Sequence, residues 1–267
     1  MSTDRFTHHR CGIVTAFAVC ALLSAAGACS SSVVPVAEEV EQPADEHPAE
    51  EQIGEEVEEA DLQHLEKAQE HQDDRYDDPE KYAERWNDPA RDEWQQPQAI
   101  IDAMAIEEGM TVADLGAGTG YFIPLLAEAV GDEGTVLAVD IEPSMLDYIE
   151  NMARESGLKN VETLLASGDD SGLSERSVDR ILTVNTWHHI ANRGEYAAHL
   201  RERLRDNGSV WVVDYDEAAP VGPPQDHRLA PETVIDELEA GGFEVELREL
   251  ELERQFMVVA TSLSPPD

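Results

Sequence analysis

Cysteine is nearly absent, and where it occurs it is confined to one end: Cys11, Cys20 and Cys29 are the three thiols of a 267-residue chain. Everything beyond Cys29 is thiol-free, which excludes a disulfide-stapled scaffold and a cysteine-based zinc site in the folded part. Positive charge is scarce as well. Lys and Arg number 18 against 58 Asp and Glu, a formal net charge of −40. The deficit runs along the chain: Glu38 to Glu80 carries 19 acidic and 2 basic residues, and Lys81 to Ala260 carries 37 and 14. A field of this sign repels phosphate backbones, and no basic stripe offsets it, so nucleic acid is not an expected partner and polyanionic substrates are disfavoured. No grouping of His, Asp and Glu has metal-ligand spacing. His188 and His189 are adjacent and diverge on a helix, so no metal is expected. The length holds one domain of ordinary to large size, or two small ones, once targeting and linker segments are set aside.

The first segment reads as an address. Arg5 and Arg10 precede an uncharged apolar run of 18 residues, Cys11 to Ala28, the pattern of an export signal over residues 1–28. The same run just reaches the length that spans a bilayer, so an uncleaved inner-membrane signal anchor is the competing reading. Ala26-Gly27-Ala28-Cys29-Ser30 resembles the lipobox of bacterial lipoproteins, departing from it at Ala26, where Leu is commoner. That resemblance implies cleavage before Cys29, its lipidation, and a tethered protein on the periplasmic or cell-envelope face. Residues 29–80 follow as an acidic, self-repelling linker with only isolated apolar residues such as Ile53, Val57, Leu62 and Leu65.

A folded domain is expected over residues 81–262, with 263–267 as a tail. Strand-like runs alternate with helix-like ones. Strands are expected at Thr111–Asp114, Thr135–Asp140, Val161–Leu165, Asp179–Val184 and Ser209–Val213, with two closing antiparallel strands at Phe243–Leu252 and Gln255–Ala260. Helices are expected at Tyr121–Val130, Pro143–Glu155, Glu195–Asp206 (closed by Asn207-Gly208) and from Pro231 to Gly241-Gly242. This order predicts an α/β fold with a doubly wound, mostly parallel seven-stranded sheet and helices on both faces.

Ligands of such sheets bind beyond the carboxyl ends of the strands. Asp114-Leu-Gly116-Ala117-Gly118-Thr-Gly120 follows the first strand and lets backbone turn sharply against a ligand. Asp140 ends the second strand, where a carboxylate can accept both hydroxyls of a ribose, so a nucleoside-containing cofactor is implied. A dinucleotide turn needs Gly-x-Gly-x-x-Gly or Ala, and position 121 is Tyr.

The Gly116-x-Gly118-x-Gly120 spacing, with Asp114, Asp140 and the closing strand pair, resembles the class I S-adenosylmethionine-dependent methyltransferases of the small-molecule type. The resemblance covers Trp86 to Ala260. It implies a Rossmann-like fold, S-adenosylmethionine as cofactor and a small-molecule methyl acceptor. It also implies cofactor contacts from Asp114, Gly116, Ala117, Gly118 and Gly120 toward the methionine part, Asp140 on the ribose and Ile141 on the adenine. Asp169, with Asp170 as alternate, matches the acid that meets the adenine amino group, and Asn185 matches the position facing the reacting methyl. His189, by its offset from Asn185, matches a family histidine and is the preferred base, ahead of His188 and His227; helix packing is the other reading of His188 and His189. Tyr82 to Pro97 falls where family members place a lid, so that Trp86, Arg91 and Trp94 either wall the pocket or pack on the sheet edge. An exported address and a cytoplasmic cofactor conflict. Hence the alternative of a non-catalytic, nucleoside-ligand-binding surface lipoprotein stays open, with a dehydrogenase behind it.

Overall fold

The computed structural model describes Tyr76 and residues 78–262. The export signal, Cys29, the linker through residue 75 and the tail from residue 263 lie outside the described residues. Three short helices come first, α1 (Pro79–Trp86), α2 (Arg91–Gln95) and α3 (Pro97–Ala103). The alternating part follows: β1 (Thr111–Leu115), α4 (Ile123–Val130), β2 (Thr135–Asp140), α5 (Pro143–Ser156), β3 (Val161–Leu165) and β4 (Val178–Val184). The chain then runs through α6 (Arg193–Arg203), β5 (Leu204–Tyr215), α7 (Pro231–Ala240), β6 (Glu244–Arg248) and β7 (Gln255–Thr261).

The strands form one sheet in the order β3-β2-β1-β4-β5-β7-β6. The first five are parallel, and β7 runs antiparallel to both β5 and β6. The expected doubly wound sheet with a closing antiparallel pair is therefore what forms. Chain order reverses between β1 and β4, which opens a crevice at their carboxyl ends.

Consecutive strand residues feed opposite faces, as a period of two requires. Val112 joins a core with Ile100 of α3, Ile123 and Leu126 of α4 and Ile149 of α5, while Ala113 joins one with Leu200 of α6 and Leu238 of α7. Burying each of these Leu and Ile side chains contributes about 1.5–3 kcal/mol. Helix α5 shows the local logic. Pro143 opens it, with no amide to leave unpaired, and Gly157 closes it in the left-handed region at φ 73°.

Several boundaries differ from expectation, β5 most of all, which runs Leu204–Tyr215 in place of Ser209–Val213. Helix α6 stops at Arg203 instead of reaching Asp206, because Leu204 turns extended, drops its side chain into the core and pairs with Val178. Asn207-Gly208 is then no helix cap; it lies inside β5 where the pairing with β4 shifts register, Asn207 at φ 61°. Helix α4 opens at Ile123, since Tyr121 and Phe122 still complete the glycine turn through Ile123 N–H donating to the Gly120 carbonyl. Strand β6 ends at Arg248, beyond which Leu250 and Leu252 pack inward on the core.

Candidate active site

The crevice at the carboxyl ends of β1, β2, β4 and β5 gathers the residues singled out by sequence. The turn after β1 is tied down where it begins: the Gly116 and Ala117 amides both donate to the Val139 carbonyl, at 2.8 and 3.0 Å. Gly116 sits at φ 76°, and a Cβ there would lie 2.3 Å from Thr186 Oγ1, so neither conformation nor space admits a side chain. Gly118, at φ 53°, donates its amide to Asp140 Oδ2 at 2.8 Å. That bond joins the turn after β1 to the acid at the tip of β2.

Asp140 also accepts from the Glu142 amide through Oδ1 at 3.0 Å. Burial raises its pKa, while the amides of Glu142, Gly118 and Ile141 pull it back down. Backbone amides therefore aim the carboxylate, and the lone pairs they leave are open to hydroxyl donors. Beside it, Ile141 is 58% exposed and Leu165, which pairs with Asp140 across the strands, is 55% exposed. Large apolar side chains left in water next to an oriented carboxylate form a surface that a purine riboside would cover. The residues present thus fit a nucleoside ligand. In the loop after β3, Asp169 is exposed and accepts from Ser167 Oγ, whereas Asp170 holds its own loop through the Gly172 amide.

Asp114, one residue before the end of β1, is 3% exposed. Its pKa is pushed up to about 7, first by burial and then by Asp140, against the pull of Arg91.

At the tip of β4, Asn185 takes a left-handed backbone (φ 56°) and donates its amide to the Val213 carbonyl. The chain then makes a 3-10 turn over Trp187–His189. His188 Nδ1 lies 2.9 and 3.0 Å from the two carboxylate oxygens of Asp214, near the end of β5, and the His188 amide donates to the same group. Both side chains are buried, at 4% and 1% exposure. A carboxylate only accepts, so Nδ1 carries the proton and Nε2 is the basic nitrogen of the neutral ring. His189 is exposed and packs its ring on His188 at 4.1 Å. Partial desolvation and then His188 lower its pKa, His227 adds to this, and Asp214 opposes.

The segment ahead of β1 closes over this crevice. Trp86 lies against Gly118, 3.3 Å from where a Cβ would stand, and stacks on Tyr82 at 4.6 Å; Tyr76 packs edge-on to Tyr82 and His189 and tilted against Trp86. Asn87 and Thr119 exchange hydrogen bonds, Asn87 Nδ2 to the Thr119 carbonyl and Thr119 Oγ1 to Asn87 Oδ1. Arg91 sits over the Tyr121 ring at 4.0 Å, and Trp94 stacks on Tyr215 at 6.2 Å. Trp86 accordingly faces the turn, and Trp94 packs on the sheet beside β5.

Asp214, Gln95 and Gln255 are site residues that sequence reasoning missed. For Asp214 a signal existed: a lone acid ending the apolar strand Val210-Trp-Val-Val-Asp214, the same signature as Asp114 and Asp140.

Comparison with known proteins agrees with this geometry. A family model described as a methyltransferase domain matches residues 106–245, more than half of the chain. A protein-L-isoaspartate O-methyltransferase of Methanococcoides burtonii is 33% identical over 114 residues, 42% of this chain and 53% of that protein. An aklanonic acid methyltransferase of a Streptomyces species is 31% identical over 142 residues, 52% of this chain and 64% of that protein. The chain spans about half the length of the curated relatives it matches. The crystal structure of an S-adenosylmethionine-dependent methyltransferase from Aquifex aeolicus superposes with a TM-score of 0.65 at 29% identity, covering 70% of this chain and 99% of that one. The aimed carboxylate of Asp140, the side-chain-free turn it grips and these likenesses coincide on one conclusion: the chain belongs to the methyltransferase-domain family, whose cofactor is S-adenosylmethionine.

Proposed function

We propose that this protein transfers the methyl group of S-adenosylmethionine to an oxygen or nitrogen of a small molecule, with His188 as the general base. The observation that carries the reading is the buried His188–Asp214 pair at the tips of the neighbouring strands β4 and β5. Bound in the crevice, the cofactor supplies a methyl carbon already activated by its sulfonium. This chain's residues then have two tasks. Asp140 would hold the ribose, Ile141 and Leu165 would flank the adenine, and Asp169, with Asp170 as alternate, would meet its amino group. Asp114, Gly116, Ala117, Gly118 and Gly120 would receive the methionine part, and Asn185 would lie toward the methyl. Alignment of this kind supplies on the order of 7–11 kcal/mol of barrier lowering. For an acceptor that must lose a proton, that proton would pass to His188 Nε2, and Asp214 would stabilise the imidazolium. His189 is the second candidate, low in pKa but without an acid on its ring. The strongly negative surface supports a small acceptor over a nucleic acid.

Methyl turnover on a metabolite extract should fall about 10²–10⁴-fold in His188→Ala and less in His189→Ala. The reverse order sinks the assignment of the base. S-adenosylhomocysteine, and not NAD, should raise the melting temperature, and Asp140→Ala should lose most of that rise. A rise with S-adenosylhomocysteine but no turnover on any acceptor would favour the non-catalytic lipoprotein reading. The lipobox-like run supports a tether through a lipidated Cys29. Membrane partitioning of the full chain should then disappear in Cys29→Ala, and its persistence would favour the signal anchor.

A further inference from the structure

Four side chains form a line of hydrogen bonds from helix α2 to the tip of β4. Arg91 donates through Nε and a terminal nitrogen to Gln95 Oε1, at 3.2 and 3.1 Å. Gln95 Nε2 donates to Gln255 Oε1 at 2.5 Å, and Gln255 Nε2 donates to Asn185 Oδ1 at 2.6 Å. Gln95 is fully buried and Gln255 is 5% exposed, so neither amide can turn over without losing a bond that water does not replace. The sense of the line follows from its first member. A guanidinium has no acceptor, so the oxygen of Gln95 must face Arg91, its nitrogen must face Gln255, and the same constraint passes on to Asn185.

We infer that Arg91, Gln95 and Gln255 are positioning residues that consume the Asn185 oxygen and present its Nδ2 donor at the β4 tip. The molecule methylated there consequently carries a hydrogen-bond acceptor, a carbonyl or carboxylate oxygen, beside its nucleophile. This rests on the methyltransferase reading, and it narrows the substrate class: a donor at that place would meet a second donor on a plain amine, whereas it stabilises an oxyanion as His188 removes the proton. Asn185 can hold this orientation because its left-handed backbone and the hydrogen bond from its backbone N–H to the Val213 carbonyl fix the side chain's origin.

The orientation is readable without a substrate. In protein labelled with ¹⁵N at asparagine and glutamine, the side-chain amides of Gln95 and Gln255 should resist exchange with water, and that of Asn185 should exchange as an open amide. Gln255→Glu replaces the donor facing Asn185 by an acceptor, so the Asn185 amide should turn and become protected at least tenfold. A protected Asn185 amide in the unaltered protein overturns the inference, as does unchanged exchange in Gln255→Glu. If Gln255→Glu does not fold, Arg91→Met serves: without the donor-only head, Asn185 should show intermediate protection, and unchanged exchange counts against us. With S-adenosylhomocysteine bound, benzoate should shift the Asn185 amide resonance and benzylammonium should not; the opposite result refutes the substrate class. Failure of S-adenosylhomocysteine to bind would defeat the methyltransferase reading while leaving the amide orientation measurable. A merely structural role makes Gln255→Glu, the nearer isostere, milder than Gln255→Leu in turnover on the metabolite extract. The inference requires the reverse, through kcat more than KM.

Discussion

Asp114 shows what one residue is asked to do. Its carboxyl is buried within the repulsion of Asp140, with Arg91 opposing, and its pKa is pushed up to about 7 from an ordinary 3.8. A folded-state pKa above the unfolded one means the folded chain holds the extra proton. That contribution is whole below pH 3.8 and is lost as pH rises toward 7, after which the buried anion is a standing cost. Asp114→Asn should therefore melt higher than the unaltered chain at pH 8, with the gap shrinking as pH is lowered through 7 toward 4. A gap that does not change with pH would show the carboxyl to be ionised throughout. The same variant should bind S-adenosylhomocysteine more weakly, because a ligand ammonium group is attracted by a carboxylate and not by a neutral amide. Stability gained against affinity lost at a single position is the expected signature of a binding acid.

The turn between β1 and α4 is engaged from several sides at once: Val139 closes it, Asp140 grips Gly118, and Thr186 fills the space beside Gly116. Gly116→Ala meets two penalties. A side chain at φ 76° costs about 1–3 kcal/mol, and its Cβ collides with the Thr186 side chain. The urea midpoint should fall accordingly, and Thr186→Gly in the same chain should return only the collision part. Full recovery would mean that the backbone angle carries no strain. This element was legible in advance, since its glycine spacing and the acids beside it are local. The end of α6 was not. Asn207-Gly208 reads as a helix stop by every neighbouring residue, yet Leu204 leaves the helix early because a place in the core and a pairing with Val178 outweigh propensity.

For the molecule as a whole, charge is the dominant feature. Residues 81–260 carry 37 acids against 14 bases, and among the described residues most ion pairs have at least one exposed partner, with both exposed in Arg176–Asp206 and Arg248–Glu246. Exposed pairs contribute at most about 1 kcal/mol each and do not offset the summed repulsion. Screening at 0.15 M salt, with a Debye length of about 8 Å, should consequently raise the melting temperature relative to about 0.01 M, and sodium chloride and potassium chloride should act alike. A fall in melting temperature with salt would show that attractive pairs dominate. The two cores on either side of the sheet are apolar and should contribute little to this dependence.

By itself the sequence determined the succession of strands and helices, the doubly wound sheet, the glycine turn and the acid one strand away from it. Each of these depends on periods of two and 3.6 residues, on Pro and Gly at element ends, or on spacings within one βαβ unit. Only tertiary structure decided which histidine receives a carboxylate, since Asp214 lies 26 residues from His188 and the local offset from Asn185 favours His189 instead. It also decided the Arg91–Gln95–Gln255–Asn185 line, whose two glutamines are 160 positions apart. Hydrogen bonds between distant side chains require the backbone to have brought them within 3 Å. That closeness is set by how seven strands order themselves in the sheet, not by any pattern along the chain.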